Sequence, residues 1–494
     1  MYKIVIRNAL ITFLSRVLGF TRDILMAKYI GASWQLDAFL IVFKLPNFFR
    51  RLFAEGVFSQ TLLPLVMQAK DKKAFLEHVY AIYIVIVLIV TLPFVLYPEV
   101  MLSVFAHGLD PNHQTFLKAV ELLPWVFPYL GCMACCGFYV VQLNIHRQYE
   151  VGSMLPIALN VMLLSGIYGY SQYFLIDYVA KSVFIAGIIQ VLFCVYRVYQ
   201  IQGVIWPCFR HEYHGISKLF KQAFYGFLAQ VITYVSSCLD LFLVSFLVTG
   251  SLSWLYYAER LAYLPLGVIS VVLANIVLTD LSQACKNQDE DKMTAILQKA
   301  SKWVLLFSLP SMIGGFFLSE IIVATLFKSD NFTIYDVSAC ATAFQLLSLA
   351  IPFLMFVRVW NVVPYALSKP QELLKITMIS FVMSSSITLI LLPKFQYLAI
   401  CVGILFGGVS NACQLYYYVQ KIINEPLFDA AFVKNSIYAS LAMASVLLLM
   451  NILFPTSIIE DKWTLLYNLF FRSLLSLSAW FLCLRTDQIR MLKD

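Results

Sequence analysis

Long apolar stretches separated by short polar connections make up almost the whole chain. Each stretch runs for about 20 residues or more, enough to cross a hydrocarbon layer of about 30 Å as an α-helix, and none shows the short alternation that marks a barrel strand. Punctuation by proline, glycine and charge predicts about fourteen spans, from 8–28 and 35–66 to 431–454 and 463–484. The predicted class is an all-α polytopic membrane protein. An even number of spans places both termini on one side.

The pattern also repeats within the chain. The stretch "LDAFLIVFKLPNFF" around Pro46 aligns with "LYYAERLAYLPLGV" around Pro265, and "ELLPWVFP" ending at Pro128 aligns with "QLLSLAIP" ending at Pro352. Glu99 and Glu320 form a third pair, and all three pairs lie about 220 residues apart. Two six-helix lobes inserted in the same sense follow, residues 1–215 and 216–425, with two additional C-terminal spans in 426–494.

Composition agrees and narrows the class. Of 494 residues, 61% are hydrophobic and 13% charged, which excludes a soluble protein of this size. The net charge of +8 is unevenly spread: alternate connections carry Lys70, Lys72 and Lys73, then Arg147, then Arg197 and Arg210, then Lys286, Lys292 and Lys299. Cytoplasmic loops are enriched in Lys and Arg, so both termini are expected in the cytoplasm. Lys3 and Arg7 before an apolar run resemble a signal peptide, but Arg16, Arg22 and Asp23 interrupt that run, which is read as a retained first span. The 11 cysteines are scattered, and the tight cluster "CMACC" at Cys132–Cys136 reads as a small-residue helix-packing face. No G-x-x-x-x-G-K phosphate loop is present, so the expectation is a transporter without ATPase chemistry. No cofactor and no nucleic-acid partner is expected; coupling to the membrane potential or to a monovalent ion would supply the energy.

The charges that break the first two spans carry the candidate chemistry. Arg16, Arg22, Asp23, Lys28, Asp37, Lys44, Arg50, Arg51 and Glu55 all fall there, and insertion costs roughly 2.5 to 3.5 kcal/mol for each such group facing lipid near the bilayer centre. They are therefore expected to face protein, water or ligand. Asp37, Lys44 and Arg51 recur every seventh residue, a single helical stripe, with Glu55 a turn beyond; Arg16 and Asp23 share a similar stripe. Pro46 frees a backbone carbonyl, which favours a lined cavity. The alternative is a set of ion pairs in which Asp23, Asp37 and Glu55 neutralise the cations, but the cations outnumber these acids. The matching pair in the second half contains Asp240, Glu259 and Arg260, and Arg358 lies alone in the tenth span. Guanidinium forks suit a diphosphate, to which each donates two parallel hydrogen bonds.

The stretches "SRVLGFTRD" at 15–23, "DAFLIVFKLPNFFRRLFAEGVFSQTLLP" at 37–64 and "YYAERLAYLPLGV" at 256–268 closely resemble the MurJ (MviN) family of bacterial lipid II flippases. The resemblance implies the MOP exporter fold around a cationic cavity, with Arg16, Arg22, Arg50 and Arg260 binding the diphosphate-sugar head. Asp37 corresponds to an acid near the outer gate; Asp23, Lys44, Arg51, Glu55 and Glu259 are read from their charge and spacing as gating or charge-pairing groups. The last two helices would form a groove for the polyprenyl tail. The implied function is alternating-access transfer of lipid II, an undecaprenyl-diphosphate-linked disaccharide peptide, from the inner to the outer leaflet of the bacterial inner membrane, among membrane lipids and cell-wall synthesis proteins. Two departures stand out. Tyr263 replaces an acid that often follows the span-eight arginine, and "ITMISFVMSSSITLI" at 376–390 offers only hydroxyls where some members bind sodium, leaving Asp240 as a weak ligand candidate. The competing readings are a flippase for another polyprenyl-linked glycan, an ion-coupled exporter of the same fold, and a membrane glycosyltransferase. A drug exporter for cations would favour acids in its cavity, and a glycosyltransferase would need a placed outer carboxylate.

Overall fold

The computed structural model describes residues 2–53, 71–146, 148, 150–168, 175–201, 203–209, 235–236, 238–367, 369–423, 425–455, 461–484 and 488. All regular structure among them is helical. The chain divides into two compact units, Met1–Ser253 and Trp254–Asp494.

In the first unit α1 (Tyr2–Tyr29) and α2 (Trp34–Phe53) are joined through Gly31, whose φ of 72° lets the chain leave α1 while its N–H bonds back to Met26 and Ala27 carbonyls. There follow α3 (Lys72–Leu96), α4 (Pro98–Phe105), α5 (Gln114–Val126), α6 (Tyr129–Ile145), α7 (Glu150–Tyr168) and α8 (Leu175–Ile201). Asp71 starts α3 by accepting from the Lys73 and Ala74 amides, a side-chain cap on two otherwise unpaired donors. Helix α1 packs on α7, α7 on α8, and α2 on α5 and α6. Tyr80 stacks on Phe138 at 4.1 Å within the core shared by α3, α6 and α8.

The second unit contains α9 (Ser251–Pro265, whose first turn precedes the division), a π-helical turn (Leu266–Ser270), α10 (Val271–Lys286), α11 (Glu290–Phe317) and α12 (Ser319–Phe327). Beyond these lie α13 (Ile334–Trp360), α14 (Val362–Ala366), α15 (Pro370–Phe395), α16 (Tyr397–Gln420), α17 (Ala430–Leu453) and α18 (Lys462–Leu482). Its core is built from α10, α11, α13 and α16, with Leu297, Val304, Met355, Val359 and Leu415 fully buried. Helices α17 and α18 pack on one another and on α11 and α12 through Met443, Leu447 and Trp480.

Eleven described segments are long and apolar enough to cross a membrane. They coincide with predicted spans three to six and eight to fourteen; α1 and α2 cover the first two, and the seventh, near 218–248, lies largely outside the described residues. Several spans differ from their predicted form. The third, expected over 79–105, is two helices broken at Tyr97, four residues after Pro93, and the fourth breaks at Phe127–Pro128. The ninth, expected from 301, begins at Glu290 behind an Asp289 cap and breaks at Leu318. Breaks at Tyr97 and Leu318 match across the repeat, and they explain Glu99 and Glu320: each lies in the first turn of a short helix, where a negative charge meets the positive end of the dipole. The proline pairs diverge instead. Pro46 sits within continuous α2, whereas Pro265 is followed by the π-helical turn.

Candidate functional site

Helix α1 enters the protein interior at Arg22 and Asp23, which are 5% and 2% exposed. Arg22 Nε and Nη2 donate to the same Asp23 carboxylate oxygen at 3.0 and 2.6 Å, and Nη1 donates to Asn160 Oδ1 of α7 at 3.0 Å. Asn160 completes the link by donating to the Ser15 carbonyl at 3.1 Å. A charge buried among apolar helices must be paired and hydrogen-bonded, and this arrangement does both. Asp23 thus pairs with its neighbour Arg22, not with Arg16 along the expected stripe; Arg16 is exposed.

On α2, residues Leu36 to Phe43 are all buried, and Lys44 and the run from Asn47 to Arg50 beyond them are half-buried. Asp37 is 6% exposed and accepts from the Gly250 amide at 2.6 Å, the Ser253 amide at 3.0 Å and the Ser253 hydroxyl at 2.6 Å. Gly250 and Ser253 flank the first turn of α9, so Asp37 supplies from another helix the acceptor that an N-cap side chain would give locally. Lys44 lies two turns further along the same face. Arg50, also half-buried, follows Phe49, whose ring meets Phe94, Phe105 and Phe127 edge-on at 5.5, 6.2 and 5.8 Å. Phe94 and Phe127 are themselves stacked at 3.8 Å. This aromatic cluster of α2, α3, α4 and the α5–α6 break holds the helix turn that carries Arg50, and the sequence reading overlooked it because Phe in a membrane span is unremarkable by itself. The side chain of Arg51 and all of Glu55 lie outside the described residues.

In the second unit Arg260 is exposed, with its guanidinium 5.0 Å above the Tyr256 ring and Nη2 3.2 Å from the Tyr256 hydroxyl. A cation held over an aromatic face one turn away is oriented by it. Glu259 beside it is half-buried. Three hydroxyls of the 376–390 stretch are engaged in helix packing: Ser384 donates to the Gly403 carbonyl at 2.8 Å, Thr388 donates to the Ser384 carbonyl, and Ser380 accepts from Gln414. Asp240, of the first unit, is half-buried. Arg472, in the last span, was not anticipated: it is 2% exposed and donates to Asn451 and to the Phe454 carbonyl at the end of α17. A charge in the middle of an apolar 21-residue helix, whose other charged residue, Lys462, stands at its first position, was the available signal.

The sequence model described as "Lipid II flippase MurJ" matches residues 26–472. A protein of Buchnera aphidicola (subsp. Acyrthosiphon pisum) described as a probable lipid II flippase MurJ is 28% identical, covering 90% of this chain and 89% of its own. A Haemophilus influenzae protein of the same description is also 28% identical, over 88% and 89%. Among solved structures, a lipid II flippase MurJ in an inward closed conformation superposes with a TM-score of 0.84 at 23% identity, over 97% of this chain and 98% of its own. An inward-facing multidrug resistance MATE transporter of the MOP superfamily has the related fold, with a TM-score of 0.70 at 13% identity, over 87% and 99%.

Proposed function

This chain belongs to the lipid II flippase MurJ family, and from that membership we propose how it carries lipid II from the inner to the outer leaflet of the bacterial inner membrane. The family match over residues 26–472 carries the assignment, and the intramembrane cations supply the chemistry. Arg16, Arg50 and Arg260 bind the diphosphate-sugar head, each guanidinium offering paired donors to phosphate oxygens. Arg22, engaged with Asp23 and Asn160, acts by fixing α1 against α7. Asp37 serves as the outer-gate acid, and its bonds to the start of α9 are contacts that opening would exchange for water. Lys44, Arg51, Glu55 and Glu259 balance charge along the path. Both termini face the cytoplasm, and cell-wall synthesis proteins receive the product.

No phosphate loop supplies ATP hydrolysis, so the driving force is the membrane potential or an ion gradient. An inside-negative potential favours outward movement of an anion by about 2.3 kcal/mol per charge per 100 mV. In a bacterium depleted of its own lipid II flippase, this chain is expected to restore outer-leaflet lipid II, and Arg50→Ala at matched expression to abolish it. Rescue by both proteins would make Arg50 a structural residue; failure of well-expressed wild type would point to another polyprenyl-linked glycan.

A further inference from the structure

We propose that Trp254 and Asp336 are positioning residues for Arg260: together they set the rotation of α9 and so the direction in which its guanidinium points. The inference rests on the reading of Arg260 as a ligand of the diphosphate-sugar head. Trp254 stands at the fourth position of α9 and is 3% exposed. Its indole Nε1 donates to Asp336 Oδ1, in the first turn of α13, at 2.9 Å. The other oxygen, Oδ2, accepts from the Thr333 amide and hydroxyl at 2.8 and 2.7 Å, closing the cap of α13. A buried carboxylate is costly unless its oxygens are engaged, and here they are divided between a local partner and a distant one. The Trp254 ring also meets Tyr335 of α13 and Tyr397 of α16 at 5.5 and 5.1 Å, and the Tyr397 hydroxyl donates to the Ala339 carbonyl at 3.3 Å. The starts of α9, α13 and α16 thus meet at one indole.

Helix geometry extends this hold to Arg260. One turn beyond Trp254, Tyr257 packs on Phe327 at 4.8 Å and on Phe332 at 5.5 Å, and all three are fully buried. Trp254, Tyr257, Ala258 and Leu261 follow helical spacing along one buried face. Tyr256 and Arg260 form a second row, and six residues at about 100° each place Arg260 about 120° round the helix from Trp254. For a group about 5–6 Å from the axis, a rotation of about 20° is a sideways shift of about 2 Å. Hydrogen bonds to phosphate oxygens hold only within about 2.7–3.2 Å, so such a turn would break a paired guanidinium contact. The restraint comes from the start of α9, because the π-helical turn Leu266–Ser270 interrupts its phase with α10. On α9 itself the Tyr256 ring and hydroxyl hold the guanidinium, and that ring packs edge-on against Tyr257 at 5.4 Å.

The test measures lipid II binding to the full chain in nanodiscs for wild type, Trp254→Phe, Arg260→Ala and the double variant. Trp254→Phe keeps an aromatic ring beside Tyr335 and Tyr397 but loses the N–H donor. It is expected to weaken binding about tenfold, the contribution of one charge-assisted hydrogen bond, and to add nothing once Arg260 is Ala. Thr333→Ala loosens the cap of α13 while leaving the indole bond, and should stay within about twofold of wild type. Should Trp254→Phe not fold, Asp336→Asn takes its place: its one acceptor oxygen cannot serve both Thr333 and Trp254, and the same non-additivity with Arg260→Ala is expected. Phenylglyoxal labelling, read by mass spectrometry, reports the direction of Arg260 without substrate. In Trp254→Phe the rate at Arg260 should fall, while that at Arg358, exposed on α13, stays as in wild type. Binding as tight as wild type in Trp254→Phe, equal weakening with and without Arg260, or unchanged labelling of Arg260 overturns the proposal. If Arg260→Ala binds lipid II as wild type does, the head-binding reading of Arg260 fails, and the labelling alone decides whether Trp254 and Asp336 orient it.

Discussion

Arg22 and Asp23 are neighbours on α1, and adjacent helical positions ordinarily point about 100° apart. They meet because the long arginine side chain reaches back to a carboxylate that is itself buried, and because Asn160 takes the remaining direction. The pair is a position-setting device whose halves are costly alone. Asp23→Ala should destabilise the folded protein by about 3–5 kcal/mol, because it strands a buried guanidinium, whereas Arg22→Leu combined with Asp23→Leu should recover most of that loss. A double-mutant cycle on thermal unfolding in detergent measures it; additive single effects would show that the two side chains act independently. The charges were legible in the sequence as unusual. Their partition was not, because Asn160 lies far along the chain and nothing local marks it.

The junction between α2 and α9 shows what one helix can do for another. The first turn of α9 has amides that no intrahelical carbonyl can satisfy, and Gly250 at its cap position brings no side chain to accept from them. Asp37 fills that role across 213 residues of sequence. Asp37→Ala should lower stability by about 1–3 kcal/mol through unsatisfied donors, and Asp37→Asn, which keeps one acceptor, should lose less. Comparing their unfolding midpoints checks the order. If Asp37→Ala is as stable as wild type while transport fails, the carboxylate acts on substrate or gating alone. The breaks after Pro93 and before Pro128 belong to this scale as well: proline marked them in the sequence, but Pro46 and Pro352 sit in continuous helices, so neighbours decide whether a missing amide becomes a break.

At the scale of the whole molecule, moving an anionic head outward across an inside-negative membrane makes the membrane potential the proposed drive. In oriented vesicles that hold an inside-negative potential, outward appearance of lipid II should slow when valinomycin and potassium collapse the potential at constant pH, and recover when it is restored. A rate unaffected by the potential but dependent on a sodium gradient would transfer the coupling to an ion. The class, the succession of spans and the anionic character of the cargo were all determined by sequence, because the cost of exposing charge or unpaired backbone to lipid acts on every residue and leaves its mark on composition and spacing. Tertiary structure alone decided which charges are spent. Arg22 is locked to Asp23 and Asn160, Asp37 is turned to the start of α9, Arg472 is bound to the end of α17, and on α6 Cys136 is buried in the core while Cys132 and Cys135 line an apolar groove beside α3 and α8. Each of those outcomes depends on a partner far away in the chain, and a one-dimensional pattern carries periodicity and cost but not the identity of the group across the contact.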